Sequence, residues 1–196
     1  LLGQAELDGV VIATAAPTHA ELACWAFAAG RHVYVEKPLA LNLTEAETMA
    51  AAATAAGRQL MVGHLIRYHA AFIELQDQLA SGVIGALRHV SANRLAMGRI
   101  RATESVLFDL CPHDLSLILA LLGEEPHSVS CLGASHVTPG TPDILSAWLG
   151  FSDGRSAQLS TSWMTPYKEH RLTVTGSRGS IVFDDTRPWA EKLTLY

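Results

Sequence analysis

Apolar and polar positions along this 196-residue chain follow two regimes. In the first third, short apolar runs alternate with longer stretches at helical spacing. Val10-Val11-Ile12-Ala13 reads as a strand buried on both faces. Residues 14–19 form a loop containing Pro17, and residues 20–29 read as a helix stopped by Gly30. His32-Val33-Tyr34-Val35 is a second strand, with Glu36-Lys37-Pro38 as a tight turn behind it. Thr44 and Glu47 fit a capping box that opens an alanine-rich helix ending at Gly57, and Leu60-Met61-Val62 is a third strand. This β-α-β-α-β order predicts a parallel sheet with right-handed crossovers.

The pattern then changes. Residues 68–79 look helical, residues 86–95 like a strand, and residues 106–122 like one strongly apolar helix with Gly123 as its stop. Pro112 falls inside that helix and predicts an irregular or kinked first turn. From Ser128 onward strands dominate, at residues 128–136, 144–151, 157–163, 171–175 and 181–183, with tight turns between them. Such a succession predicts an antiparallel meander. The expected fold class is a partial α/β Rossmann domain (parallel, doubly wound) over residues 1–65, then an α+β domain with a large, mainly antiparallel sheet over residues 66–196.

Composition narrows the function classes. An apolar fraction of 49% with 17% charged residues describes an ordinary globular protein. A net charge of -5, without clustered Lys and Arg, argues against nucleic acid. No apolar run is long enough to span a bilayer, and the start of the chain, with Gln4, Glu6 and Asp8, has no basic region of a signal peptide. Cys24, Cys111 and Cys131 are scattered and odd in number, which predicts reduced thiols in a cytoplasmic compartment, with Cys24 buried in its helix. The histidines form neither H-x-x-x-H nor H-E-x-x-H, so no metal site is expected.

Candidate chemistry lies at a few positions. Lys37 follows a strand of the parallel sheet, outside whose carboxyl ends ligands bind, although a surface lysine in a loop has the same signature. Asp109 and His113 are four apart, which on a continuous helix puts them on one face. A carboxylate there can orient an imidazole that exchanges a proton, and a satisfied structural pair fits equally well. Asp114 is placed to cap the kinked turn. His19 reads as a residue at a helix start. Arg67 and Tyr68 follow the third strand at the domain boundary, where clefts form. Lys168 and Arg171 flank a strand, and Trp163 reads as core.

Taken together, Val11-Ile12-Ala13-Thr14 with Pro17 and His19, the stretch from His32 through Glu36-Lys37-Pro38 to Ala40, Gly63-His64 with Arg67-Tyr68, and Asp109-Leu110-Cys111-Pro112-His113-Asp114 resemble the glucose–fructose oxidoreductase / inositol dehydrogenase / MocA family. The resemblance covers nearly the whole chain. It implies NAD or NADP as cofactor and hydride transfer at a secondary alcohol of a sugar-like small molecule. It also implies a homo-oligomer built through the open face of the second sheet. Lys37, Asp109 and His113 resemble the catalytic residues, with either Lys37 or His113 as base. Thr14, Pro17, His19, Glu36 and Lys37 resemble the cofactor-lining positions, and Arg67, Tyr68, Lys168 and Arg171 are the substrate candidates. Ser162-Trp163, Pro166, Lys168, Arg171 and residues 173–177 are similar to the sugar-nucleotide 3-dehydrogenase branch, which oxidises C3 of a UDP-linked N-acetylated sugar.

Two departures stand out. Relatives often carry Asn-Pro where His69-Ala70 stand here. The G-x-G-x-x-G turn that opens a dinucleotide-binding unit is missing, which predicts that the chain is the greater part of a longer enzyme. The rival expectations are a cofactor- or sugar-binding protein without turnover, and an inactive truncated product.

Overall fold

The computed structural model describes residues 3, 6–98, 100, 101 and 104–196. Ala102 and Thr103, within the loop expected ahead of residue 106, lie outside the described residues, as do Leu1, Leu2 and Gln4. The chain divides into two compact units, Leu1–His64 and Leu65–Tyr196.

In the first unit three strands pair in parallel in the order β1 (Gly9–Ile12), β2 (His32–Val35), β3 (Leu60–Val62). They are joined by α1 (His19–Ala28) and α2 (Leu43–Ala56). Two right-handed crossovers that step the same way put both helices on one face. There Ala23, Ala26 and Phe27 of α1 meet Met49 and Ala53 of α2 over Ile12, Val33 and Val35. The other face carries the row Val11, Tyr34, Met61. Val11 is 72% exposed, so β1 is not buried on both faces: it has one strand neighbour and helices on one side only. The cap of α2 also differs from expectation. Asn42, two residues before Thr44, accepts the amide of Glu45, whose carboxylate in turn reaches the amide of Leu41. Gly57 ends α2 with a φ of 62°, in the left-handed region.

The second unit is a seven-stranded sheet backed on one face by helices. It begins with a 3-10 helix, Leu65–Tyr68, and α3 (Ala70–Ala80). Its sheet order is β10-β9-β8-β4-β7-β6-β5, formed by β4 (Leu87–Met97), β5 (Ser128–Ala134), β6 (Ile144–Gly150), β7 (Ser156–Ser162), β8 (Met164–Gly176), β9 (Ser180–Asp184) and β10 (Leu193–Leu195). Two antiparallel runs, β5-β6-β7 and β8-β9-β10, flank β4. A simple meander is therefore wrong at one place: β4 pairs with β7 in parallel and with β8 antiparallel, and separates them. The chain passes across the end of β4 at Trp163, whose backbone oxygen accepts the amide of Gly98.

The expected single helix over residues 106–122 is two, α4 (Val106–Asp109) and α5 (Cys111–Leu122), broken at Leu110 with Pro112 in the first turn of α5. Proline has no amide to give and fits a helix start better than its interior. Phe72, Leu75, Leu117 and Ile118 of the helices form one core with Val90, Ala92, Leu172, Val174 and Phe183 of the sheet. The opposite sheet face stays open, with Leu132 79% and Trp148 50% exposed. Burial of a thiol falls on Cys111; Cys24 is only half-buried, and all three cysteines are free.

Candidate active site

In the first unit the expected residues sit at the carboxyl ends of the parallel strands. Thr14 and Pro17 follow β1 and are exposed, with Pro17 in a 3-10 helix, Ala16–Thr18. His19 starts α1 fully buried, its Nδ1 2.9 Å from the Pro38 carbonyl oxygen and its Nε2 3.2 Å from that of Thr14. Both ring nitrogens thus face the chain's own backbone. His19 ties the loop after β1 to the turn after β2, a bracing role rather than a surface offered to a cofactor. Glu36 and Lys37 are half-buried behind β2. A Cβ on Gly63, just after β3, would lie 2.7 Å from the Tyr34 hydroxyl and 3.2 Å from the Glu36 carboxyl, so a larger residue there would displace these side-chain ends.

In the second unit Leu110, between Asp109 and His113, interrupts the regular helix but keeps right-handed helical backbone angles. Asp109 ends α4 and His113 lies in the first turn of α5. The buried Trp163 donates its indole Nε1–H to Asp109 Oδ2 at 3.0 Å, and Arg101 stands 3.4 Å from Oδ1. Trp163 is core, as expected, and also a hydrogen-bond donor to a candidate catalytic carboxylate. Asp114 caps nothing. It is buried and takes a two-pronged ion pair from Arg94 on β4, with Nε to Oδ2 at 2.8 Å and Nη2 to Oδ1 at 2.9 Å. Burial pushes the Asp114 carboxyl upward, while the guanidinium pulls it back toward ionisation.

Arg94 also lies 3.3 Å from His170 Nδ1 on β8. A guanidinium has no acceptor, so Arg94 donates and His170 carries its proton on Nε2. Burial, with Arg94 and Lys168 nearby, lowers the His170 pKa to about 4 against the opposing pull of Asp184 and Asp185. Because the folded value lies below the unfolded one, only the unfolded chain binds this proton between about pH 6.5 and 4. Stability from this group is therefore present above that window and lost as pH falls through it. Thermal unfolding between pH 4 and 7 is expected to be less steeply pH-dependent in His170→Asn than in the parent. Equal slopes would remove His170 as a contributor.

The substrate candidates separate. Lys168 is exposed and acts on His170 from nearby. Arg171 pairs in register with Asn93 and Asp184, and its ion pairs run to Asp184 at 3.3 Å and Glu169 at 3.6 Å. Strand alternation puts it on the sheet face opposite Arg94, His170 and α5, so it does not join Asp109 and His113. Arg67 and Tyr68 are exposed on the 3-10 helix. His69 caps α3 by accepting the amide of Ala71 on Nδ1, and its ring packs against Phe183 and Trp189.

Sequence reasoning missed Arg94, Arg101 and His170. Arg94 had a readable signal: it stands at the inward register of Val90 and Ala92, where a charge requires a buried partner. Among the described residues there is no group of His, Cys, Asp and Glu able to hold a metal ion, and no helix long and apolar enough to cross a membrane.

The three-stranded parallel unit and the helix-backed, mainly antiparallel sheet each match one domain of the same family. Residues 1–64 match the oxidoreductase family with an NAD-binding Rossmann fold, and residues 72–182 match the GFO/IDH/MocA C-terminal domain. The chain belongs to the GFO/IDH/MocA oxidoreductase family. It is 34% identical over 171 residues to UDP-N-acetylglucosamine 3-dehydrogenase of Acidithiobacillus ferrooxidans, covering 87% of this chain and 53% of that protein. It is 28% identical over 195 residues to inositol 2-dehydrogenase of Rhizobium meliloti, covering 94% and 59%. A solved structure of a putative oxidoreductase from Magnetospirillum magnetotacticum aligns with all of this chain and 62% of its own, at TM-score 0.89 and 34% identity. The chain thus spans roughly half to three-fifths of these relatives.

Proposed function

We propose that this chain forms the greater part of an NAD(P)-dependent oxidoreductase. It passes hydride between the nicotinamide and a secondary alcohol of a sugar, sugar nucleotide or cyclitol, with C3 of a UDP-linked N-acetylated sugar as its preferred site. The observation that carries this reading is the family match across both units. The 34% identity to a UDP-N-acetylglucosamine 3-dehydrogenase favours the sugar nucleotide over inositol.

The residues that would line a dinucleotide in this reading, Thr14, Pro17, Glu36 and Lys37, follow the carboxyl ends of β1 and β2, where an open parallel sheet binds its ligands. When bound, the nicotinamide supplies the hydride acceptor. The chain's own residues handle the proton and the charge. His113 takes the hydroxyl proton, Asp109 stabilises the resulting imidazolium, and Lys37 as ammonium stabilises negative charge developing on the alcohol oxygen. Arg67, Tyr68 and Lys168 are the substrate contacts in this reading.

A homo-oligomer through the open sheet face is part of the same proposal, supported by exposed Leu132 and Trp148. A cytoplasmic location is supported by the three free cysteines. The test is nicotinamide reduction, followed by absorbance, with UDP-N-acetylglucosamine and with inositol. It uses an enzyme in which this chain carries a complete dinucleotide-binding domain. Turnover on the sugar nucleotide, slower on inositol, is expected. Cofactor binding without turnover on any oxidisable sugar would identify a binding protein instead.

A further inference from the structure

We infer that Arg94 is a positioning residue for the reaction: by gripping Asp114 it fixes the first turn of α5, and with it His113. The inference rests on the role proposed for His113. The start of α5 has no side chain capping it, and its N-cap residue, Leu110, stays in the right-handed helical region. The turn is instead held from the sheet. Cys111 Sγ lies 3.5 Å from Thr161 Oγ1 on β7, and Asp114 receives two guanidinium hydrogen bonds from Arg94 on β4. Ser116 Oγ donates to the His113 carbonyl oxygen at 2.7 Å, closing the turn on itself. His113 is the covalent neighbour of Asp114, so its backbone has little freedom once Asp114 is gripped.

Stability alone does not call for this device. A buried ion pair is often replaceable by a well-packed apolar pair at no loss, because removing both charges from water costs about what their attraction returns. What a guanidinium fork adds is direction: two parallel N–H···O bonds fix angle as well as distance. The same guanidinium donates to His170 Nδ1, so one side chain sets both the turn carrying His113 and the tautomer of His170 on β8. A catalytic base displaced by about 1 Å can lose on the order of 10²-fold in rate.

The experiment compares four variants of the enzyme carrying a complete dinucleotide-binding domain: Arg94→Lys, Asp114→Asn, the double variant Arg94→Met/Asp114→Leu, and His113→Ala. Measured are kcat, KM for the sugar, the unfolding temperature and the NMR signal of the His113 ring, with exposed His127 as reference. Arg94→Lys keeps the charge without the fork. It is expected to lower kcat on the order of 10²-fold with KM little changed, and to move the His113 signal but not that of His127. The double variant should recover the unfolding temperature lost in Asp114→Asn, but not kcat. Recovery of both would make the pair structural only and overturn the proposal, as would parental kcat in Arg94→Lys. If His113→Ala itself keeps parental kcat, the assignment of His113 falls and this inference with it. If only His113→Ala is impaired, the inference alone fails.

Discussion

Replacing His113 with alanine is expected to lower kcat by about 10²–10⁴-fold, the usual consequence of deleting one general acid–base group. Cofactor affinity should change little, because the proposed cofactor-lining residues belong to the first unit and His113 to the second. The loss should be seen in single-turnover hydride transfer, before product release can mask it. Asp109→Asn should do less harm. The amide oxygen can still accept from Trp163 Nε1, which now bonds the Asp109 carboxylate at 3.0 Å, so local packing survives while the negative charge is lost. A variant series in which Asp109→Asn is the more damaging would move the proton-accepting role away from His113. Retention of parental single-turnover rates by His113→Ala on every substrate would return His113 to a structural role.

Replacement of Lys37 by alanine is expected to lower kcat by about 10²–10³-fold, the range for removing one preorganised electrostatic stabiliser. The expected size depends on how firmly the turn holds Lys37. That turn is braced, since the Pro38 carbonyl is held by buried His19, which also reaches back to Thr14. A cation on a braced turn does not have to be reorganised during the reaction, which is the condition for a large electrostatic effect. Lys37→Ala should therefore depress the rate with the unfolding temperature nearly unchanged, measured by nicotinamide absorbance and calorimetry on the same preparation. A fall in unfolding temperature with the rate preserved would make Lys37 a loop residue and nothing more.

Much of this was legible in order and spacing. The parallel strands and their helices follow from short apolar runs separated by helical stretches, because burial of one face is a local, periodic property of sequence. Gly57 and Gly123 mark their helix ends through a backbone conformation that glycine adopts at little cost, and both are found there. An irregularity near Pro112 was legible because proline lacks the amide that an interior helical position needs, though not that it divides the helix at Leu110. The family resemblance, too, rested on local stretches such as Glu36-Lys37-Pro38 and the run from Asp109 to Asp114.

What only the tertiary structure decided are facts about partners distant in the chain. The insertion of β4 between β7 and β8 depends on pairings across about 70 residues, and no local pattern distinguishes it from a meander. That choice puts Arg94 beside His170 and under Asp114, and brings Trp163 to Asp109. It also sends Arg171 to the face opposite Arg94, although Arg171 and Lys168 looked equivalent in sequence. The sequence alone determined which segments bury an apolar face and where the backbone must turn, because those depend on neighbours within a few residues. Which charges meet inside was decided by long-range strand order, since the cost of burying a charge is relieved only by a partner that the fold, not the local sequence, brings to it.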